Sequence, residues 1–300
     1  MRSVAVLSLK GGVGKTSVVL GLAGAALQRG IRTLVIDLDP QGNCTATLDP
    51  GATATTISQV LANPRQTVIE DAIAPSAWGE GLDVLVGDEE VEAHNRPNPD
   101  AKRLATLDHA LSKLDGSAGG GQDAYAPYYR LVIMDCPPSL GQLTRCALVA
   151  ADRALLVTEP TIYAVTGVQR AFEAVQNERE HNPDLQPLGV VINRARIRSI
   201  EHSYRIKELR EIFGPLVLPT VLPDRSAVQH AQGAGQPIQR WGTPGAREMT
   251  IAFDALLARI LRTSQIRRRP EEAGDGQYAA PQPAAQRPAA EATGAGDAEG

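Results

Sequence analysis

The chain alternates between short, continuous apolar runs and longer stretches in which apolar residues recur at helical spacing. Val4–Leu9 and Thr33–Leu38 are apolar runs rich in β-branched residues, and Thr16–Arg29 between them has the helical spacing. Gly30 directly follows this predicted helix, where a glycine commonly ends one. The order strand, helix, strand predicts a βαβ unit with parallel strands and a right-handed crossover.

The same alternation continues through most of the chain. Helix-like segments include Gly167–Glu180 and Ser203–Phe213. Further apolar runs have the length of strands, and they are Leu82–Val86, Leu131–Met134, Ala154–Thr158, Leu188–Ile192 and Val217–Leu222. Nearly continuous apolar strands are typical of strands buried on both faces. We therefore predict an α/β fold with a doubly wound, mostly parallel sheet and helices on both faces.

Composition changes sharply near Thr263. Residues 265–300 contain 10 Ala, 5 Gly and 4 Pro, and Ile266 is their only aliphatic residue beyond Ala. Such a segment buries too little apolar surface to offset the entropy lost on ordering. The sequence therefore predicts one folded domain over residues 1–264 and a disordered Ala/Pro/Gly-rich tail over residues 265–300. The Gly-rich stretch Gly116–Pro127 is predicted to be an exposed loop.

Charge and cysteine content exclude several classes of protein. The chain has 30 Lys and Arg against 34 Asp and Glu, a formal net charge of -4. This balance excludes a wholly basic nucleic-acid coat protein but not a local basic patch. Three cysteines are too few for a disulfide framework and favour a reducing cytosol. No apolar run reaches the roughly 18 residues of a membrane-spanning helix. We expect a cytoplasmic protein.

Residues 10–16, Lys-Gly-Gly-Val-Gly-Lys-Thr, follow the first predicted strand and open the first predicted helix; we call them the phosphate loop. Glycines let the backbone turn so that several N–H groups face phosphate oxygens, and the helix N-terminus adds partial positive charge. In such a loop Lys15 reaches the β- and γ-phosphates, and the Thr16 hydroxyl ligates Mg²⁺. The predicted nucleotide-binding residues are Gly11, Gly12, Val13, Gly14, Lys15, Thr16 and Ser17.

Two predicted strands end in acidic residues. Asp37 and Asp39 end the second strand, and Asp135 ends the run Leu131–Met134. Ligands of open parallel sheets bind at the carboxyl ends of the strands. Asp135 would hold Mg²⁺ through water, because Mg²⁺ keeps much of its hydration. Asp37 is either structural or acts on the site indirectly, and Cys136 is predicted to be a packed small residue rather than a nucleophile.

Four blocks in this order resemble the ParA/MinD ATPases. They are the phosphate loop, which has the form of that family's deviant Walker A box, and residues 37–42, 135–139 and 223–238. The resemblance extends from about Val4 to about Leu261, and the second and third blocks look more like ParA/Soj than MinD. It implies a P-loop fold and a Mg²⁺-dependent ATPase that is weak alone and stimulated by a partner. The implied cofactors are ATP and Mg²⁺.

The resemblance also implies roles for single residues. Asp39 positions the attacking water in line with the γ-phosphoryl group. Lys10 crosses to the nucleotide of a second subunit and stabilises transition-state charge, so that two ATP molecules are sandwiched in a homodimer. Asn193 contacts the adenine ring, and Pro223 borders it. The predicted catalytic residues are Lys10, Lys15 and Asp39, and the predicted metal ligands are Thr16 and Asp135.

ParA-like proteins bind DNA without sequence preference through basic residues on the dimer surface, and the resemblance implies the same here. Binding of this kind needs clustered Arg or Lys and depends strongly on salt. The candidate residues are Arg194, Arg196, Arg198 and Arg225. The alternative is a solvated charged face, because Glu201, Glu208 and Glu211 are interleaved. On the DNA interpretation the protein is nucleoid-associated and has an activating partner resembling ParB.

Two other functions stay open. A MinD-like ATPase binds a membrane surface through a C-terminal amphipathic helix. The residues available for this are the apolar stripe Phe253, Leu256, Leu257, Ile260 and Leu261, followed by Arg267–Arg269. We favour a last core helix with a basic end, so membrane binding is not expected. Residues 159–167 look closer to MinD than to chromosome-segregating ParA proteins, which indicates an orphan member positioning another cargo. The third class is a metabolic or redox P-loop protein.

Overall fold

The computed structural model describes residues 1–114 and 129–262. The predicted loop Gly116–Pro127 and the tail 265–300 lie outside these residues. The exposed loop, the disordered tail and the domain boundary at residue 264 therefore stay predictions.

The described residues form one eight-stranded sheet. The strands are β1 (Arg2–Leu7), β2 (Thr33–Asp37), β3 (Ile73–Pro75), β4 (Leu82–Leu85), β5 (Leu131–Asp135), β6 (Arg153–Thr158), β7 (Gln186–Ala195) and β8 (Val217–Pro223). Their order across the sheet is β3-β4-β2-β5-β1-β6-β7-β8. Strand β3 runs antiparallel to β4, and the other pairs are parallel. The predicted doubly wound, mostly parallel α/β sheet is confirmed.

Eleven α-helices connect and cover the strands in the described part of the chain. They are α1 (Lys15–Gln28), α2 (Asn43–Leu48), α3 (Ile57–Ala62), α4 (Gln66–Glu70), α5 (Ala101–Leu104), α6 (Thr106–Ser112), α7 (Gln142–Ala150), α8 (Ala164–Glu178), α9 (Ile200–Phe213), α10 (Ser226–Gly233) and α11 (Pro244–Arg262). Short 3₁₀ turns cover Glu89–His94, Gly214–Leu216 and Ile238–Arg240.

Each strand predicted from an apolar run is present, with ends that differ by at most three residues. Strand β3 has no counterpart among the predicted strands. It has only three residues, one of them Pro75, and it pairs at the sheet edge. A segment this short gives no apolar run, and proline is tolerated in strands mainly at such edges.

The sheet is buried on both faces, which explains the continuous apolar strands. Successive side chains of a strand point to opposite faces. Accordingly Ala5 and Leu7 of β1 belong to one core cluster with helices α3, α6, α7 and α8. Val4 and Val6 belong to the other cluster, with α1, α10 and α11.

The C-terminal apolar stripe is part of the second core. Phe253, Leu256, Leu257 and Ile260 are between 0% and 3% exposed, and α11 packs along α1. The interpretation as a last core helix is confirmed, and these four side chains are not available to a membrane surface. None of the helices in the described ranges is long and apolar enough to cross a membrane.

The contact between α1 and α11 gives a first prediction. A Cβ built on Gly21 overlaps the Phe253 ring, so Gly21→Ala should lower the free energy of unfolding by about 1–3 kcal/mol, as overpacking does. Gly167 in α8 has nothing within 4 Å of such a Cβ. The matched change Gly167→Ala should therefore raise the free energy of unfolding by about 0.5–1 kcal/mol. Urea titrations measure both, and equal effects would contradict the close approach of α1 and α11.

Candidate functional site

The site lies at the carboxyl ends of neighbouring strands. Strand β5 lies between β1 and β2, and Asp37 is the register partner of Asp135. Two buried carboxylates are therefore side by side where the phosphate loop leaves β1.

The phosphate loop is shaped by two glycines with left-handed backbone. Gly12 and Gly14 both have φ of 82°, a conformation that other residues rarely adopt. Gly14 directly precedes α1, and no side chain caps that helix. The first-turn N–H groups of an uncapped helix have no intrahelical acceptor, and together with the helix dipole they favour an anion.

Lys15 is the cation at the centre of the site. Its side chain is only 6% exposed, its ammonium forms an ion pair with Asp135, and Asp39 Oδ2 lies 3.6 Å from Lys15 Nζ. Burial by itself lowers the pKa of Lys15, but the charges of Asp135 and Asp39 outweigh it and raise the pKa above its ordinary value. Lys15 is therefore protonated at neutral pH and able to meet a phosphate.

Asp135 is fully buried and accepts from both predicted phosphate-loop partners. Thr16 Oγ1 donates to Asp135 Oδ2 at 2.7 Å, and Lys15 contacts the other carboxylate oxygen. Burial raises the pKa of Asp135, while these two partners oppose the shift. A hydroxyl and a carboxylate oxygen this close are hard oxygen donors of the kind Mg²⁺ prefers, and with only two of them water and phosphate oxygens would complete the coordination. The residues fit the predicted Mg²⁺ site.

Asp37 and Asp39 have different surroundings. Asp37 accepts from the backbone N–H groups of Thr45, at 2.8 Å, and of Asp39, at 3.2 Å. Burial and the nearby Asp135 raise the pKa of Asp37 to about 7. Asp37 thus anchors the start of α2 and the turn that carries Asp39, which is the structural alternative for this residue. Asp39 keeps its carboxylate towards Lys15 and accepts from Gln41 N at 3.2 Å.

The two lysines of the phosphate loop differ in their exposure to solvent. Lys10 is 51% exposed, and Glu159 Oε2 lies 3.8 Å from its ammonium. Lys15, in contrast, is buried among the carboxylates of its own chain. Lys15 therefore lies inside the site, and Lys10 lies at its exposed edge.

The two predicted adenine contacts line one cavity. Asn193 and Pro223, at the ends of β7 and β8, share a cavity of about 20 Å³ with Ser17 and Val228. Asn193 is 5% exposed, and its amide donates to Val13 O at 2.8 Å. The structure therefore brings these residues together beside the phosphate loop, and it uses the Asn193 amide to hold the loop backbone.

The four candidate DNA-binding arginines differ in their surroundings. Arg196 pairs with Asp224 at 2.9 Å, and Arg225 pairs with Glu248 at 2.7 Å. Arg194 lies against the phosphate loop, where it donates to Gly12 O at 2.5 Å. Arg198 is exposed and has no ion-pair partner within residues 1–114 and 129–262. The sequence did not reveal these acidic partners, because most of them come from other elements.

The cysteines have no role in the site chemistry. Cys44, Cys136 and Cys146 are all buried and free. Burial raises the pKa of Cys136 and of Cys146 to about 12, which removes thiolate character at neutral pH. Cys136 is a packed residue, as predicted. Over the described part of the chain no group of three or more His, Cys, Asp or Glu side chains could hold a metal by itself.

Comparison with known proteins agrees with this geometry. A family model described as an AAA domain matches residues 1–187. The chromosome partitioning protein ParA of Caulobacter vibrioides is 31% identical over 242 residues, 79% of this chain and 86% of the relative. The sporulation initiation inhibitor protein Soj of Bacillus subtilis is 30% identical over 241 residues, 78% of this chain and 89% of the relative. A structure of cobyrinic acid a,c-diamide synthase from Mycobacterium smegmatis with bound ADP and magnesium has a TM-score of 0.69 at 26% identity, and covers 88% of this chain and 97% of its own.

Proposed function

Because the chain belongs to the ParA/Soj family of partitioning ATPases, we propose that it is a Mg²⁺-dependent ATPase whose ATP-bound homodimer holds DNA. A ParB-like partner stimulates hydrolysis and thereby releases the DNA. The cargo is a chromosome, a plasmid or another large assembly, and the protein is cytoplasmic and associated with the nucleoid.

The ATPase proposal rests on one observation. Lys15 and Thr16 both contact Asp135, at the point where a glycine loop leads into a helix that no side chain caps. Lys15 and the loop N–H groups bind the phosphates of ATP. Thr16 and Asp135 hold Mg²⁺, which would neutralise charge on the β- and γ-phosphates when bound. Asp39, held near Lys15 at 3.6 Å, positions the attacking water.

The dimer proposal rests on the different exposure of the two lysines. A half-exposed Lys10 is available to a nucleotide in a second subunit, whereas Lys15 serves its own. An added cation stabilises the charge that develops during phosphoryl transfer. The closed dimer would then depend on ATP, because each nucleotide is shared by two subunits.

The DNA proposal is carried by Arg198, the candidate without an acidic partner in the described ranges. Arg196 and Arg225 are partly neutralised by Asp224 and Glu248. Such pairs are weak at exposed positions, so phosphates can compete for these arginines. DNA is favoured over a membrane surface because the apolar stripe of α11 is buried in the core.

A salt titration of DNA binding tests this proposal. Anisotropy of a labelled random duplex is measured with a non-hydrolysable ATP analogue, with ADP and without nucleotide, at several salt concentrations. We expect tight, salt-dependent binding with the ATP analogue only. Arg198→Ala should reduce the slope of log affinity against log salt by about 0.9 for each DNA phosphate that the variant no longer neutralises.

The matched control is Arg65→Ala. Arg65 is also an exposed arginine before a helix, but α4 leads into β3 at the opposite edge of the sheet from β7 and β8. Its removal should leave the salt slope unchanged. Binding that ignores the nucleotide, or no binding in any state, would refute the DNA proposal.

A further inference from the structure

Arg194 has an unusual backbone conformation. Its φ is 53°, and Asp49 is the one other non-glycine residue with positive φ in the described part of the chain. The pairing of β7 with β8 also shifts register between Ile192 and Ala195. Left-handed backbone costs free energy in an arginine and persists where the surroundings require it. Irregular strand ends often re-aim a side chain next to a site.

The side chain of Arg194 is aimed at the phosphate loop. Its Nη1 donates to Gly12 O at 2.5 Å and to Glu159 Oε1 at 3.2 Å. The carbonyl and the N–H group of one trans peptide point in opposite directions. A Gly12 carbonyl held by Arg194 therefore directs the Val13 N–H to the other side of the loop, away from the arginine.

Glu159 connects this arginine to the exposed lysine. Its side chain is 19% exposed, and Glu159 Oε2 lies 3.8 Å from Lys10 Nζ. The pair with Arg194 is shorter, at 3.2 Å. Both cations are partly exposed, Arg194 at 42% and Lys10 at 51%, so the shorter distance and the hydrogen bond to Nη1 are what distinguish Arg194 as the partner of Glu159.

We propose that Arg194 and Glu159 are positioning residues for the phosphate loop. Arg194 fixes the Gly12–Val13 peptide so that its N–H group is preorganised for phosphate, and Glu159 fixes Arg194. This inference rests on the proposed ATP binding, and it assigns Arg194 to the nucleotide site instead of the DNA surface.

The positive φ makes a sharp test possible. Arg194→Gly removes the side chain and relieves the backbone, while Arg194→Ala removes the side chain and keeps the strain. Affinity for Mg²⁺-ADP is measured by calorimetry. Both variants should bind about tenfold more weakly, the effect expected for removal of a hydrogen bond from a charged donor. The glycine variant should have the higher urea midpoint. If Arg194 had a purely structural role, the two substitutions would change the urea midpoints but leave the affinities for Mg²⁺-ADP unchanged.

Glu159→Gln tests the second link. It should weaken Mg²⁺-ADP binding in the wild type but have little further effect in Arg194→Gly, because residues that act through one contact are not additive. Arg29→Ala is the control. It removes an arginine that pairs with Asp254 at 2.6 Å, at the far end of α1, and should leave the affinity unchanged.

Wild-type affinity for Mg²⁺-ADP in Arg194→Gly would overturn the inference while leaving the ATPase proposal intact. If the same variant also binds DNA more weakly, Arg194 belongs to the DNA surface instead. If the wild-type protein itself fails to bind Mg²⁺-ADP, the proposed function and this inference fall together.

Discussion

Lys15→Ala is expected to abolish detectable ATP binding and to lower the free energy of unfolding by about 3–5 kcal/mol, the cost of breaking a buried ion pair. Lys15 is 6% exposed and Asp135 is fully buried. Without the ammonium, the Asp135 carboxylate keeps its hydrogen bond from the Thr16 hydroxyl but has no adjacent cation to balance its charge. The substitution also removes the cation that meets the phosphates. Calorimetry with Mg²⁺-ATP and a urea titration measure the two effects.

Lys10→Ala is the control for the stability effect. Lys10 belongs to the same loop but is 51% exposed, and its pair with Glu159 spans 3.8 Å. Exposed pairs of this kind contribute little, so the free energy of unfolding should change by less than about 0.5 kcal/mol. ATP binding by Lys15→Ala at wild-type affinity would show that another cation serves the phosphates.

Asp39→Ala is expected to lower the rate of ATP hydrolysis by about 100-fold or more, the cost of losing the correct position of a reactant. ATP binding and dimer formation should remain. Asp39 lies 3.6 Å from Lys15, and Lys15 keeps its ion pair with Asp135 when Asp39 is removed. Phosphate release measures turnover, and sedimentation with ATP measures the dimer, which should now persist with ATP itself.

Asp184→Ala provides the matched control for this substitution. Asp184 is an exposed aspartate in the turn before β7, outside the site. The Asp184→Ala variant should hydrolyse ATP at the wild-type rate, and its dimer should dissociate normally after hydrolysis. Normal turnover in Asp39→Ala would refute the water-positioning role, and failure to bind ATP would show that Asp39 acts on the nucleotide instead.

Together these variants divide the ATP cycle into separate steps. Lys15→Ala prevents nucleotide binding, and Asp39→Ala prevents the hydrolysis that ends the ATP-bound state. Substitutions of Arg194 should weaken nucleotide binding without preventing it. A protein that follows this order uses its nucleotide site as a switch for whatever the dimer holds.

The sequence alone determined the fold class and the phosphate loop. Continuous apolar runs indicate strands that are buried on both faces. The phosphate loop is indicated by the spacing of Lys10, Gly12, Gly14 and Lys15, because the two glycines allow a backbone conformation that few other residues adopt. Both signals are local, because they depend on neighbours in the chain. The same holds for the apolar stripe of α11, whose helical spacing predicted a core helix.

The tertiary structure alone decided which charged groups meet. Asp37 and Asp135 become neighbours because β5 lies beside β2, although β5 is three strands further along the chain. Arg194 reaches Gly12 across 182 positions, and Arg225 pairs with Glu248 on α11. The sequence placed all four arginines in one DNA-binding group. Strand order, a register shift and one left-handed residue then gave them different surroundings, and such packing geometry leaves no local pattern in a sequence.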